Sequence, residues 1–265
     1  MRSFEPPTPT TCERPSFLSL PERTSKPRRV GVSHVLDNGM SLREAEQRLA
    51  AASSSIDIWK FGWGTAYVDP AVEAKVQLLR EHEVLACTGG TLLEIAWRDG
   101  AAAQLMDWAR AVGFPCMEVS CGSIPISRHV KSLMIETVAE HFTVLAEVGA
   151  KDPSVDVRPE QWATEAAADK DAGARWVVTE GRESGTVGLF DPTGEVRPAI
   201  VDAVVESVGL ETVLFEAHRR AQQAWLIKKF GANVNLGNIS AAEALAVECL
   251  RLGLRSDTIS GSIDS

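Results

Sequence analysis

Short apolar, β-branched runs that end in a charged or polar residue and then glycine recur along this chain. Val177-Val178-Thr179-Glu180-Gly181-Arg182 is the sharpest instance, and the same order appears at 56–62, 144–149, 213–216 and 234–238. Buried parallel strands read as short apolar runs of this kind. A charge at the end of one is costly to bury without a partner or ligand. The runs predict strands at about 30–36, 56–61, 83–87, 115–120, 142–148, 175–180, 212–216 and 232–236. Helical signals fall between them, near 91–112, 127–140, 159–172, 197–208, 219–230 and 240–252. Ser41 with Glu44 three residues on is a capping box. Asp69-Pro70 sets a proline at a helix start, and Gly113, Gly173, Gly231 and Gly253 stand where helices should stop.

Eight strands alternating with helices predict an α/β fold, a single-domain (β/α)8 TIM barrel over 30–258. Such barrels gather their active sites at the C-terminal strand ends. An open doubly wound sheet is the structural alternative, and no G-x-G-x-x-G follows the first strand to favour it. Residues 1–29 form a separate tail, with Pro6, Pro7, Pro9, Pro15, Pro21 and Pro27 among Ser, Thr and Arg. Too little of that stretch is apolar to order itself, so it is expected to be flexible or docked. Residues 259–265 form a short C-terminal tail.

Composition narrows the picture. The 265 residues are close to the ~250 of one barrel. The net charge of -9 argues against a general nucleic-acid binder. No apolar run approaches the ~20 residues of a membrane span, and the N-terminus lacks the apolar core of a secretory signal. The five cysteines are odd in number and form no C-x-x-C pair, which favours reduced thiols and a cytoplasmic location. The sequence leaves a homo-oligomer open.

The charged strand ends carry the candidate chemistry. Lys60, Glu147, Glu180 and Glu216, with Lys151 and Arg182 nearby, predict carboxylates and bases on one rim. That mixture suits a divalent cation and a small anionic, phosphorylated substrate. Oxygen ligands select Mg²⁺, which makes Glu147, Glu180 and Glu216 the metal candidates. The plainer reading is a set of rim ion pairs. Arg182, Ser184 and Gly185 can grip an anion. Asn235, Gly237 and Asn238 fall at the eighth strand, a frequent phosphate-binding place in barrels, although Asn is also an ordinary turn residue. Gly89-Gly90-Thr91 allows close approach to a ligand, while Glu94 is a catalytic candidate or, with Thr91, a second capping box. Cys121 is a nucleophile candidate if its pKa is lowered, and otherwise an inert small residue. His218 is an acid–base candidate, and Arg220 a further anion contact.

At these residues the sequence resembles the phosphosulfolactate synthase family, which includes plant heat-stress-associated relatives. The matching segments are Val35-Leu36-Asp37-Asn38-Gly39, Lys60-Phe61-Gly62-Trp63-Gly64-Thr65, Gly89 to Glu94, Glu147-Val148-Gly149, Glu180 to Gly185, Gln222-Gln223 and Phe230 to Ile239. They run in family order over nearly the whole chain outside the tail. The resemblance implies a (β/α)8 barrel and Mg²⁺-dependent addition of sulfite to phosphoenolpyruvate, a C–S bond-forming lyase reaction toward coenzyme M. It also implies that a lysine and the metal stabilise an enediolate-like state. Three departures fall on the rim: Cys121-Gly122 stands for the family's Asp-Gly, Ala150 for the first of two lysines, and Glu216-Ala217-His218 for Glu-Ala-Pro. Lys151 and Arg220 are the residues that keep a lysine and an anion contact there. The rivals are a diverged barrel enzyme that adds another nucleophile to a phosphorylated enolate, and a non-catalytic stress-related or binding protein.

Overall fold

The strands close into a ring. In a computed structural model, which describes residues 15–149, 158–182 and 184–259, eight parallel strands pair in chain order and the last returns to the first. They are β1 Ser33–Asp37, β2 Ile58–Phe61, β3 Leu85–Thr88, β4 Cys116–Val119, β5 Thr143–Val148, β6 Trp176–Thr179, β7 Val213–Glu216 and β8 Leu236–Ser240. The helices are α1 Leu42–Ala52, α2 Thr65–Val68, α3 Val72–Glu81, α4 Gly90–Arg98, α5 Ala102–Val112, α6 Arg128–Ala139, α7 Pro159–Asp171, α8 Pro198–Val208, α9 Arg220–Phe230 and α10 Ala244–Arg251. The predicted (β/α)8 barrel is the observed one.

Local chemistry explains most boundaries. Ser41 accepts from the Glu44 N–H and Glu44 reaches back, so the capping box at α1 forms. Gly113 closes α5 at φ +96°, a conformation that Cβ-bearing residues rarely adopt. Three departures from expectation have a visible local cause. The helix expected at 91–112 is two helices, parted at Asp99-Gly100, where Gly100 takes φ +67°. The second capping box does not form, because α4 begins at Gly90 and Glu94 turns instead to the loop after β4. The eighth strand begins at Leu236 and not near 232. Asn235 explains the shift: its side chain accepts from Val32 N–H and donates to the Glu211 and Val213 carbonyls, taking places a ladder would have filled.

Side chains alternate faces along a strand. Trp59, Phe61, Met117, Val144, Ala146, Val177 and Phe215 point outward and pack under the helices. Ile58, Cys87, Cys116, Leu145, Val178 and Leu214 point inward and form a separate apolar plug inside the barrel. Two residues further along the same inward face stand Lys60, Glu118, Glu147, Glu180 and Glu216. An apolar floor with a charged storey above it is therefore built into five strands by their period of two.

The opposite end is sealed by the arm that precedes β1. Arg23 donates to both Glu248 carboxylate oxygens at 3.2 Å and to the Gly31 and Ala232 carbonyls. Lys26 donates to the Ser53 and His82 carbonyls, and Arg28 pairs with Asp57 at 3.1 Å. Among the described residues, no helix is long and apolar enough to cross a membrane.

Candidate active site

A cavity of about 520 Å³ opens over the charged storey, at the C-terminal strand ends. Lys60, Glu118, Glu147, Glu180, Glu216, Arg182, Ser184 and Asn238 line it, together with the Gly89-Gly90-Thr91 turn and Trp63 at its edge. Lys60 is the centre. Its Nζ stands 2.8 Å from Glu118 and 3.5 Å from Glu216, and all three side chains are buried. Burial alone would lower the Lys60 pKa, but the Glu118, Glu216 and Glu147 carboxylates outweigh it and hold it above the usual lysine value. Lys60 is thus a standing positive charge at any physiological pH.

Each carboxylate is held by its own partners. Glu118 also accepts the Gly90 N–H at 3.0 Å, which ties β4 to the start of α4. Glu216 accepts the Gly181 N–H at 3.0 Å and the Asn238 side-chain amide. Burial would raise the Glu216 carboxyl, yet Lys60, His218 and the Gly181 N–H keep it well below the usual range. Glu180 accepts the Arg182 N–H at 2.6 Å, at the head of a loop where Arg182 takes φ +50° and is exposed.

The sequence-derived candidates divide. Lys60, Glu147, Glu180, Glu216, Arg182, Ser184 and Asn238 come together on the cavity wall. Glu94 is buried behind it, where it accepts from Ser120 Oγ and the Ser123 and Ile124 N–H groups and so fixes the loop after β4. His218 sits beside Glu216 at 3.7 Å, off the lining. Cys121 is also off it, 4.0 Å from Glu165, with its thiol pushed up to about 11 by burial. That value makes it a thiol and not a thiolate at neutral pH. Gly185 supports its loop through bonds to Arg182 and Gln222. Gly237 is a close approach: a Cβ there would fall 2.2 Å from Leu214 Cδ2. Asn235 stands at the opposite end of β8, and Arg220 is exposed and paired with Asp257 at 3.4 Å. Lys151 lies outside the described residues.

Three contributors were missed by sequence reading. Glu118 interrupts the apolar run Cys116-Met117-Glu118-Val119, the same signal that marked Glu147. Lys131 shares the buried face of α6 with Met134, Ile135 and Val138. It donates to the Glu147 carbonyl at 2.7 Å, to Glu165 at 2.8 Å and to Asp169 at 2.6 Å. His34, buried in β1, accepts the Asn238 N–H. Lysine on an apolar helix face was legible; the role of His34 was not.

Fold and site together define a (β/α)8 barrel with a charged cavity at the face where such barrels do chemistry. The family follows from comparison with known proteins. Residues 21–257 match the model of the (2R)-phospho-3-sulfolactate synthase (ComA) family. Phosphosulfolactate synthase of Bacillus subtilis (strain 168) is 40% identical over 244 residues, covering 91% of this chain and 97% of the relative. The phosphosulfolactate synthase of Methanothermobacter thermautotrophicus is 38% identical over 249 residues, covering 92% and 96%. The Arabidopsis thaliana protein HEAT-STRESS-ASSOCIATED 32 is more distant, 22% identical over 268 residues, covering 89% and 91%. This chain belongs to the phosphosulfolactate synthase family, a family of lyases. Among solved structures, 3-hexulose-6-phosphate synthase from Salmonella typhimurium superposes with a TM-score of 0.55 at 10% identity, covering 83% of this chain and 97% of that one. At that identity the likeness speaks for the barrel alone.

Proposed function

We propose that this chain is a phosphosulfolactate synthase, which adds sulfite to phosphoenolpyruvate with the help of Mg²⁺. The observation that carries the reading is Lys60, buried and charged among Glu118, Glu147 and Glu216 at the floor of a cavity with Arg182 at its mouth. In the reaction the sulfur lone pair forms a bond to C3 of phosphoenolpyruvate. The C2–C3 π pair moves toward the carboxylate, and a proton then reaches C2. Charge grows on the substrate carboxylate, and a preorganised cation there stabilises the transition state. Lys60 supplies that cation. Its raised pKa suits it to holding charge more than to giving up a proton, and Lys151 is the cation the sequence offers for the protonation. Arg182, Ser184, Asn238 and the Thr91 N–H in the first turn of α4 are the donors for the phosphate, the Gly89 and Gly90 amides being spent on Phe61 and Glu118.

The donor set fits Mg²⁺. Among the described residues, no three His, Cys, Asp or Glu side chains are gathered to hold a metal by themselves. Mg²⁺ commonly takes one or two carboxylates and completes its shell with substrate oxygens and water. Glu147 and Glu180 on the wall are the residues that would hold it, with Glu216 next. When bound, the ion would supply a second positive charge for the enediolate-like carboxylate. That neither Cys121 nor His218 lines the cavity supports the family reaction over the addition of a different nucleophile.

The test is direct: phosphoenolpyruvate, sulfite and Mg²⁺ are incubated with the protein and the organic phosphate is followed by ³¹P NMR. Formation of phosphosulfolactate is expected, and its absence over hours sinks the reading. Exhaustive chelation should abolish turnover and Mg²⁺ should restore it; a rate indifferent to chelation removes the metal. Arg182→Ala should raise KM for phosphoenolpyruvate about 10- to 100-fold, the worth of a lost charge-assisted contact. Unchanged initial-rate kinetics would take Arg182 out of the site.

A further inference from the structure

The ladder between β8 and β1 is irregular just below the cavity. Ser33 pairs with Leu236, but Val35 pairs with Ile239. Two steps along β1 therefore face three along β8, so this stretch of β8, which holds Gly237 and Asn238, carries one extra residue. Such a bulge takes a residue off the ladder and re-aims a side chain. Asn238 takes φ +50°, in the left-handed region that most residues with a Cβ avoid and that Asn tolerates best. Its N–H is nevertheless satisfied, because it donates to Nδ1 of His34 at 3.0 Å. His34 is fully buried. Since its Nδ1 accepts, the neutral ring carries its proton on Nε2, and Nε2 is buried with no hydrogen-bond partner among the described residues. Burial, with Lys60 close by, keeps the imidazole neutral. The bulge in turn brings Asn238 to the cavity wall, where its side-chain amide donates to the Glu216 oxygen that lies 3.5 Å from Lys60.

We propose that His34 is a positioning residue: it props the β8 bulge and, through Asn238, fixes the Glu216 carboxylate that orients Lys60. The inference rests on reading that cavity as the reaction site. Its physical signature is a conflict. A left-handed residue in a strand and a buried donor that no described protein group answers both cost stability, so a residue that served only the fold would be poorly placed here. Removing His34 should relieve the unsatisfied Nε2–H while releasing the bulge, and the two effects act on different observables.

The experiment compares His34→Leu, which fills the space without an acceptor, with His34→Asn, whose amide oxygen can take the place of Nδ1. For His34→Leu the thermal midpoint should stay within about 3 °C of the parent. Its kcat should fall about 100-fold, as expected of a catalytic group displaced by an ångström or so, with KM for phosphoenolpyruvate within about threefold. His34→Asn should recover at least a tenth of the parent kcat. Normal kcat in His34→Leu overturns the proposal, as does failure of that variant to fold, or a loss that His34→Asn does not recover. If the parent protein forms no product, the functional reading has failed, and a crystal structure of His34→Leu decides the positioning separately. There Asn238 should leave positive φ and lose Glu216; an unchanged bulge overturns the inference.

Discussion

Replacing Lys60 by methionine should reduce kcat by about 10²–10³-fold or more, the range seen when one preorganised stabilising group is removed from a reacting oxyanion. The same change should lower unfolding free energy by about 3–5 kcal/mol, because a buried charge group loses its partner. Both effects have one origin. Lys60 neutralises Glu118 at 2.8 Å and Glu216 at 3.5 Å, and all three are buried. Methionine keeps the stem but removes the cation that both buried carboxylates pair with. Initial rates at 25 °C, well below the unfolding midpoint, separate lost chemistry from lost protein. A denaturant titration measures the stability term. Lys60→Arg should not rescue, since a planar guanidinium cannot replace a compact ammonium between two fixed carboxylates. If Lys60→Met kept more than a tenth of the parent kcat, Lys60 would have no role in turnover.

The second large effect is on the fold. Lys131→Met should destabilise the protein by about 3–5 kcal/mol, a large share of the ~5–15 kcal/mol that holds a domain together. Lys131 is buried on α6 and joins three things at once: Asp169 and Glu165 on α7, and the carbonyl of Glu147 at the end of β5. Burial would lower its pKa, but Asp169 and Glu165 outweigh burial and raise it, so the ammonium stays charged. Without it, the buried Asp169 loses its ion pair and its hydrogen bond, and among the described residues only Arg128, outside ion-pair distance, still favours its charge. The double variant Lys131→Met, Asp169→Leu should regain most of the loss, because replacing a whole buried ion pair with apolar groups is often neutral. Guanidinium unfolding curves of the three proteins decide it. A single variant within 1 kcal/mol of the parent would mean that the cluster is incidental to stability.

Much of this molecule is legible from its sequence, and the reason is local. Short apolar runs, the Ser41–Glu44 cap and the helix-ending glycines act within a few residues, so they announce eight strands and the helices between them. Lys60, Glu147, Glu180 and Glu216 were visible because a charge that closes an apolar run needs an explanation wherever the run ends up. Their convergence followed from the barrel itself, which puts every parallel strand's C-terminal end on one face.

What the sequence could not determine is who touches whom. Lys60 finds Glu118 at a separation of 58 residues, and Asn238 finds His34 at 204. Neither distance leaves a trace in a local pattern. Asn235 and Asn238 look alike in the run 233–240, yet one caps the closed end of the barrel and the other lines the cavity. Register separates them, and register is set by hydrogen bonds from β8 to β1 and β7, including a bulge that no propensity predicts. Counting along the chain puts Cys121 and Arg220 on the rim, but in the fold Cys121 approaches Glu165 on α7, Arg220 pairs with Asp257, and neither lines the cavity. The sequence by itself determined the barrel and the chemical character of its rim, because both follow from nearest-neighbour rules. Only the tertiary structure decided which charges are partners and which residues hold them in place, because those are contacts between strands and helices far apart in the chain.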